Sequence, residues 1–191
     1  LARTTKTYPT LIDTKGLNQF KLTPYPKQRS FFKQLDVTLS KYGTRGYLLA
    51  GVPGSGKTFV GLATSLCLHP TTTYRPTIII SPKNARESVW GESITTTLFK
   101  KGRSVWIYDT DQDLVNGYDY YVFTPESVDE ALVLGRLFTK AGIPYFTIVD
   151  ESQKFNEMTA IRTNRVIELC TLCQTEYFLW LSGSPIKKFG S

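Results

Sequence analysis

The decisive stretch of this sequence is the glycine-rich run Ala50-Gly51-Val52-Pro53-Gly54-Ser55-Gly56-Lys57-Thr58. It fits the pattern G-x-x-x-x-G-K-[ST] at every fixed position. Residues 46–50 before it are short and mostly apolar, which predicts a buried strand, and residues 58–69 after it predict a helix. Glycines permit positive φ, so successive backbone N–H groups can point at one anion, and the helix adds its positive dipole end. The run therefore predicts a nucleoside triphosphate site.

Each residue of this run has an expected role. We expect the Lys57 ammonium to reach the β- and γ-phosphates and the Thr58 hydroxyl to hold Mg²⁺. A glycine-rich turn before an ordinary helix is the alternative, which the strand and helix on either side disfavour. The residues expected to bind ATP from this run are Gly51, Val52, Pro53, Gly54, Ser55, Gly56, Lys57 and Thr58.

Two adjacent carboxylates follow a second apolar segment. Residues 145–149 form a continuous apolar run, which suits a parallel strand covered on both faces, and Asp150 and Glu151 come directly after it. We expect Asp150 to hold Mg²⁺ through its water shell and Glu151 to orient and polarise the attacking water. A solvated acidic turn is the alternative, and the glycine-rich run upstream favours the catalytic interpretation.

Composition limits the class of protein. The chain has 191 residues, of which 41% are hydrophobic and 20% charged, as in a soluble globular domain. No apolar run approaches the ~20 residues of a membrane span, and no signal peptide is visible. We therefore expect an intracellular protein, whether cytoplasmic, nuclear or in a virus-infected cell, that is not secreted and has no membrane partner. The formal net charge of +7 favours a polyanionic partner such as nucleic acid.

The cysteines are best explained by core packing. Cys170 and Cys173 form a C-x-x-C, but two cysteines are half of a structural zinc site, and the one histidine is remote in sequence. Val166, Leu169, Cys170 and Cys173 fall at i, i+3, i+4 and i+7, the apolar stripe of a helix. Cys67, inside the helix after the glycine-rich run, has the same interpretation.

Strand and helix patterns alternate along the chain. The predicted strands are 47–50, 77–81, 104–109, 120–124, 146–149 and 177–181. The predicted helices are 27–41, 58–68, 84–99, 125–139 and 159–173, the fourth beginning with Thr124 as N-cap before Pro125. This alternation predicts an α/β fold with a mostly parallel sheet and helices on both faces. Residues 1–20 lack periodicity, so we place a lead-in segment at 1–20 and the folded lobe at 21–191.

Several motifs, in this order, carry a resemblance to a known family. Residues 22–191 resemble the first RecA-like P-loop NTPase lobe of superfamily two helicases and translocases, and are most similar to Swi/Snf-type ATPases and to viral or phage helicases. The segment ending in Arg162-Thr163 is also similar to the remodelling ATPases. Besides the glycine-rich run, the motifs are Pro26-Lys27-Gln28, Ile78-Ile79-Ile80-Ser81-Pro82-Lys83 with Trp90, Phe123-Thr124-Pro125-Glu126-Ser127, Asp150-Glu151-Ser152-Gln153 and Leu181-Ser182-Gly183-Ser184-Pro185-Ile186.

The resemblance assigns further roles. It implies that Gln28 reads adenine, and that the acidic box at Asp150, with Gln153 as its fourth residue, works with Lys57 in catalysis. Close relatives usually carry His or Asp where this chain has Gln153, which leaves the subfamily open but permits a polar link to the last motif. That motif is expected to couple ATP hydrolysis to movement through Ser182, Gly183 and Ser184.

Nucleic acid is the partner that the resemblance implies, with DNA favoured over RNA. Movement along a strand requires a grip that tolerates any sequence, so the useful contacts go to phosphates. We expect them in the loops after the second and fourth strands. The candidates are Ser81, Lys83, Asn84, Thr124 and Ser127, of which Thr124 and Ser127 could also cap a helix.

The function that follows is the ATP-binding lobe of a nucleic-acid-dependent ATPase, a DNA helicase or translocase. The alternatives are a packaging-motor ATPase of the viral terminase type and a nucleotide-gated nucleic-acid-binding module that does not hydrolyse ATP. The family places ATP between two RecA-like lobes, and the second lobe supplies an arginine finger worth orders of magnitude in rate. We expect that lobe to lie outside this sequence, so these residues alone should hydrolyse ATP weakly.

Overall fold

A computed structural model describes residues 11–52, 54–68, 74–173 and 177–183 of the chain, without the side chains of residues 156 and 157. Apolar runs of three to five residues form short strands, because β-branched and aromatic side chains pack well on a pleated, buried surface. The strands are β1 Gly46–Ala50, β2 Thr77–Ile80, β3 Val105–Ile107, β4 Tyr120–Phe123, β5 Phe146–Val149 and β6 Phe178–Ser182.

These strands form one sheet with the order β1-β6-β5-β2-β4-β3, and every neighbouring pair is parallel. In the central strand β2, Ile79 packs into one apolar cluster while Ile78 and Ile80 pack into another on the opposite face. Both faces are therefore covered, as the continuous apolar runs predict. The predicted α/β fold with a parallel sheet is confirmed.

In the described part of the chain, four α-helices cover the two faces: α1 Pro26–Tyr42, α2 Lys57–Cys67, α3 Val128–Lys140 and α4 Ala160–Leu172. Residues of α1 and α2 belong to one apolar cluster, and residues of α3 and α4 belong to the other. Val166, Leu169, Cys170 and Cys173 are buried in the second cluster, and Cys67 is buried in the first, so the packing interpretation of the cysteines is confirmed.

The predicted helix at 84–99 has a different form. It consists of a 3-10 turn, Lys83–Ala85, followed by π-helical turns at Arg86–Gly91 and Ser93–Thr97. The i→i+5 hydrogen bonds of a π-helix widen each turn. Trp90 and Ile94 nevertheless reach the same core as α1 and α2, both with no exposed surface.

Part of the expected lead-in segment is also folded. Within residues 11–20, Thr14–Gln19 forms 3-10 turns, and Ile12 and Phe20 are buried in the core. The Asp36 carboxylate on α1 accepts hydrogen bonds from the backbone N–H groups of Leu11 and Ile12, at 2.7 and 3.1 Å. The boundary at residue 20 is therefore too late, because isolated apolar residues that pack through turns leave no periodic pattern. Within the described residues, no helix is long and apolar enough to cross a bilayer.

We expect Phe20→Ala to lower the free energy of unfolding by about 3–5 kcal/mol, because the ring is 2% exposed and packs on the rings of Phe59 and Phe99. Leu22→Ala is the matched control: Leu22 is 54% exposed, and its loss should change stability by less than about 0.5 kcal/mol. Denaturant unfolding of both variants measures the difference. Equal, small effects would show that residues 11–20 are not part of the core.

Candidate active site

The glycine-rich loop joins the carboxyl end of β1 to the start of α2. Gly54 and Gly56 have φ of 79° and 77°, a left-handed conformation that side chains disfavour. Gly56 immediately precedes α2, and no side chain caps the first N–H groups of that helix. Those N–H groups and the loop therefore face the same space, as an anion site requires. Pro53 lies outside the described residues.

Gln28 supports this loop from α1. Its side chain is buried, the Nε2 group donates to the Ser55 carbonyl at 3.3 Å, and the Oε1 atom accepts from the Tyr25 N–H at 2.9 Å. A Cβ on Gly56 would lie 2.6 Å from Gln28 Nε2, so the glycine permits this close approach. Gln28 thus positions the loop, and its expected contact with adenine stays a prediction.

The Lys57 ammonium lies over the loop that it is expected to serve. Nζ donates to the carbonyls of Gly51 and Val52, at 2.9 and 3.3 Å. Gly51 is itself tied to the sheet, because its N–H donates to the Ser182 carbonyl at the end of β6 at 3.0 Å. The only cation of the loop is therefore held at the strand ends.

Asp150 lies directly after β5 and is held from three sides. Its N–H donates to the Ile80 carbonyl at 2.8 Å, and its two carboxylate oxygens accept from Trp90 Nε1 at 3.0 Å and from the Glu151 N–H at 2.9 Å. Burial raises the pKa of Asp150 above its ordinary value of 3.8, while the Trp90 hydrogen bond and, more weakly, the Lys57 charge oppose that rise. Lys57 and Asp150 line the same cavity.

Glu151 has an unusual backbone conformation. Its φ of 52° is left-handed, which is uncommon for a residue with a Cβ and is typical of strained functional sites. The Gln153 Nε2 group donates to the Glu151 carboxylate, so the side chain has a fixed neighbour.

Gln153 also reaches the end of β6. Its Oε1 atom accepts from the Ser182 hydroxyl at 2.9 Å and from the Gly183 N–H at 3.2 Å. The expected polar link between the acidic box and the last motif is present, with glutamine in place of the usual His or Asp. Of the three expected coupling residues, Ser182 and Gly183 make this link and Ser184 lies outside the described residues.

A cavity of ≈ 420 Å³ lies where these elements meet. A cavity of ≈ 390 Å³ adjoins it and shares Asp150, Glu151 and Lys154. Lys154 is not predicted from the sequence, because a lysine after an acidic box carries no signal of its own. The first cavity is lined by Gly54, Gly56, Lys57, Thr58, Asn84, Asp150, Glu151 and Lys154, among others.

The donors in this cleft fit Mg²⁺ and a triphosphate. Thr58 and Asp150 offer a hydroxyl and a carboxylate, the hard oxygen ligands that Mg²⁺ takes, usually through one or two carboxylates plus phosphates. Among the described residues there is no group of three or more His, Cys, Asp or Glu side chains that could hold a metal by themselves. A divalent ion here would therefore depend on phosphate oxygens and water for its remaining ligands.

The expected nucleic-acid contacts separate into two groups. Lys83 and Asn84 are exposed after β2, and each lines one of the two cavities. Ser81 has no exposed surface and Thr124 is 6% exposed, so neither hydroxyl is available to a phosphate in this conformation. These two predictions are corrected: a hydroxyl at a strand end can face the core as easily as the solvent.

Ser127 is half-buried and lies beside Thr124, with 3.2 Å between the two hydroxyl oxygens. Neither residue caps a helix through its side chain, and Pro125–Ser127 is a 3-10 turn that precedes α3. Thr124 therefore occupies the predicted N-cap position before Pro125, but its side chain makes no capping hydrogen bond. Its hydroxyl pairs with Ser127 instead of with a helix N–H group.

Trp90 is the residue whose role the sequence did not reveal. It was noted as part of a motif, but its hydrogen bond to Asp150 joins positions 60 residues apart. No local pattern predicts such a contact, because it depends on how the π-helical segment packs against the sheet.

Comparisons with known proteins establish the fold. No protein-family model and no curated protein matches the sequence. Solved structures do match. Among them is the Sulfolobus solfataricus SWI2/SNF2 ATPase core domain, with a TM-score of 0.66 and 21% identity over 88% of this chain. The same core in complex with dsDNA has a TM-score of 0.64 and 20% identity over 89% of this chain. The chain covers 32% and 34% of those two chains, about a third of their length. It therefore has the fold of a RecA-like lobe of such a core.

We expect Trp90→Phe to raise the pKa of Asp150 further, because the substitution keeps an aromatic ring in the core and removes the donor that favours the charged carboxylate. Loss of this hydrogen bond should destabilise the Trp90→Phe variant at a pH above the pKa of Asp150, where the carboxylate is charged. This part of the loss of stability should disappear as the pH falls below that pKa, because the carboxyl group is then neutral.

Carboxyl ¹³C NMR titration of Asp150 measures this pKa change. The matched control is Trp106→Phe, since Trp106 packs among aromatic rings of β4 and neighbouring residues. An unchanged Asp150 titration in Trp90→Phe would show that this hydrogen bond does not hold the carboxylate.

Proposed function

We propose that this chain is the ATP-binding lobe of a nucleic-acid-dependent ATPase that couples ATP hydrolysis to movement on, or remodelling of, DNA. One observation carries the proposal: Lys57 and Thr58 at the start of α2, and Asp150 and Glu151 after β5, line one cleft at the carboxyl end of a parallel sheet. If the glycine-rich run were an ordinary turn, or the two carboxylates a solvated acidic turn, these residues would have no reason to line the same cleft. The cleft contains one set of groups for phosphates and another for water activation.

The roles proposed for the residues follow from their positions. Lys57 leaves the loop carbonyls of Gly51 and Val52 to neutralise the β- and γ-phosphates, while the N–H groups of the loop and of α2 hold the phosphate oxygens. Thr58 and Asp150 would hold Mg²⁺, directly or through water. When bound, the ion neutralises charge that develops on the phosphates.

Glu151 is the proposed water-orienting residue. Its carboxylate lines the cleft and is held by Gln153, which in turn holds Ser182 and Gly183. Two hydrogen bonds, both made by the Gln153 side chain, therefore connect Glu151 to the end of β6. We propose that Gln153 couples the cleft to that segment.

The partners are proposed from likeness and charge. One similar structure, the Sulfolobus core, is a complex with dsDNA, and this chain has a formal net charge of +7. We propose DNA as the polyanion, with a second RecA-like lobe completing the cleft as the family resemblance implies. Lys83 and Asn84, exposed beside the cleft, are the proposed backbone contacts that respond to the nucleotide.

We expect Lys57→Ala to remove most ATP affinity, because it deletes the side-chain cation of the loop. Glu151→Gln should preserve ATP binding and abolish hydrolysis, since it keeps the shape but loses the carboxylate. Titration with a fluorescent ATP analogue, with and without Mg²⁺, and phosphate release in the presence of duplex DNA measure the two steps separately. If the unsubstituted chain, tested together with its second lobe, binds ATP without hydrolysing it, the result would favour the alternative of a nucleotide-gated binding module over an ATPase.

Lys83→Ala should weaken binding to duplex DNA equally for all sequences and make the slope of log affinity against log salt shallower by about 0.9, the value for one phosphate contact. Lys140→Ala, at the last turn of α3, removes the same charge and is the control. Fluorescence anisotropy with mixed-sequence and homopolymer duplexes over a salt series measures this. A strong preference for one base sequence would contradict a backbone grip.

A further inference from the structure

A basic groove lies on a part of the lobe that the proposed function does not use. It consists of two concavities, of ≈ 700 and ≈ 360 Å³, that share Lys100 as a lining residue. Neither shares a lining residue with the two cavities at the active site. The basic side chains that line it are Lys21, Arg29, Lys33, Lys100, Lys101 and Arg103.

The groove runs between the two ends of the sheet. Arg103 precedes β3 and pairs with Asp119, which precedes β4, so this end of the groove is at the amino ends of two parallel strands. Arg29 and Lys33 in the first turns of α1 line the other end, next to Gln28, whose side chain holds the glycine-rich loop.

A short antiparallel contact fixes the centre of the groove. Phe20 and Phe99 form an isolated bridge, with Lys21 N–H donating to the Leu98 carbonyl and Lys100 N–H donating to the Gln19 carbonyl, both at 2.8 Å. Because side chains alternate across extended backbone, the two buried rings leave the flanking Lys21 and Lys100 exposed. The lysines are thus presented by fixed backbone, which lowers the entropy lost when they bind.

The positive charge of the groove is not neutralised locally. Its acidic lining residues are Asp36, which accepts the N–H groups of Leu11 and Ile12, and Asp119, which accepts from Ser104 and pairs with Arg103. Within the described part of the chain, no ion pair involves Lys33, Lys100 or Lys101, and all three are exposed.

We propose that the basic groove is a second binding surface for the phosphate backbone of a nucleic-acid duplex, and that it acts independently of the nucleotide. A duplex carries one negative charge per ≈ 1.7 Å of helix axis, so a row of cations in the groove can neutralise several phosphates at once. Single strands are usually held by stacking on exposed aromatic rings. The two aromatic residues in the groove lining, Phe20 and Phe32, are 2% and 4% exposed, so the groove offers no such platform.

This inference goes beyond the proposed function, because it rests on the charge and shape of concavities that are separate from the cleft. The cleft contacts at Lys83 and Asn84 lie beside the ATP site, whereas the groove has no lining residue in common with that site. A grip at the groove would therefore persist when the nucleotide is released. It would keep the lobe on the duplex while the cleft contacts change.

The test compares two double variants that remove the same charge. Lys33→Ala with Lys100→Ala changes the groove, and Lys41→Ala with Lys140→Ala changes exposed lysines at the ends of α1 and α3. Binding of the 191-residue chain to a mixed-sequence 20-base-pair duplex is measured without nucleotide over a salt series. The groove variant should lose about 60-fold in affinity at ~0.1 M salt, with a slope shallower by about 1.8, as expected for two phosphate contacts.

The outcomes separate this inference from the proposed function. Equal losses in the groove and control variants would overturn the inference, because they would report net charge alone. The inference would also be overturned if the groove variant lost binding to a poly-glutamate peptide but kept its affinity for the duplex. The groove would then be a site for acidic protein segments. An effect of Lys83→Ala without any effect of the groove variant would leave the proposed function standing and reject the second surface.

Discussion

The parallel register of the central strands is the constraint on which the site depends. Val149 at the end of β5 is aligned with Ile80 of β2 and Trp180 of β6, and Ala50 at the end of β1 is aligned with Ser182. Strand ends that match in this way bring the segments that follow them to one edge of the sheet, which is where ligands bind in open α/β sheets. The glycine-rich loop, the acidic box and Gly183 therefore meet even though they are far apart in sequence.

Bringing these groups together has an energetic cost that the structure offsets locally. Burial disfavours the charged form of Asp150, and the Trp90 indole and the Glu151 N–H compensate by donating to its two oxygens. The left-handed backbone of Glu151 adds strain of order 1–3 kcal/mol. Both costs occur at adjacent residues in the cleft and are supported by buried neighbours. This is how strain is expected to persist at a functional site rather than relax.

The sequence predicts much of this arrangement because the relevant signals are local. A fixed glycine and lysine spacing, two carboxylates after an apolar run, and alternating periodicity identify the loop, the acidic box and the parallel sheet. What it misses depends on tertiary packing: the burial of Ser81 and Thr124, the indole of Trp90 reaching Asp150, and Phe20 entering the core. In each case the residue type is compatible with several environments, and only the fold selects one.

The cleft and the basic groove also differ in how they can respond to a ligand. At the carboxyl end of the sheet, Gln153 contacts Glu151, Ser182 and Gly183 at once, so moving one group changes the hydrogen bonding of the others. Lys21 and Lys100 of the basic groove flank the Phe20–Phe99 bridge, and no hydrogen bond between described side chains joins these two lysines to the cleft. A ligand can bias a conformational equilibrium only through contacts that differ between the two states. We expect the linked hydrogen bonds of Gln153 to be such contacts, so a lobe built this way would combine a grip that varies with nucleotide and one that stays constant.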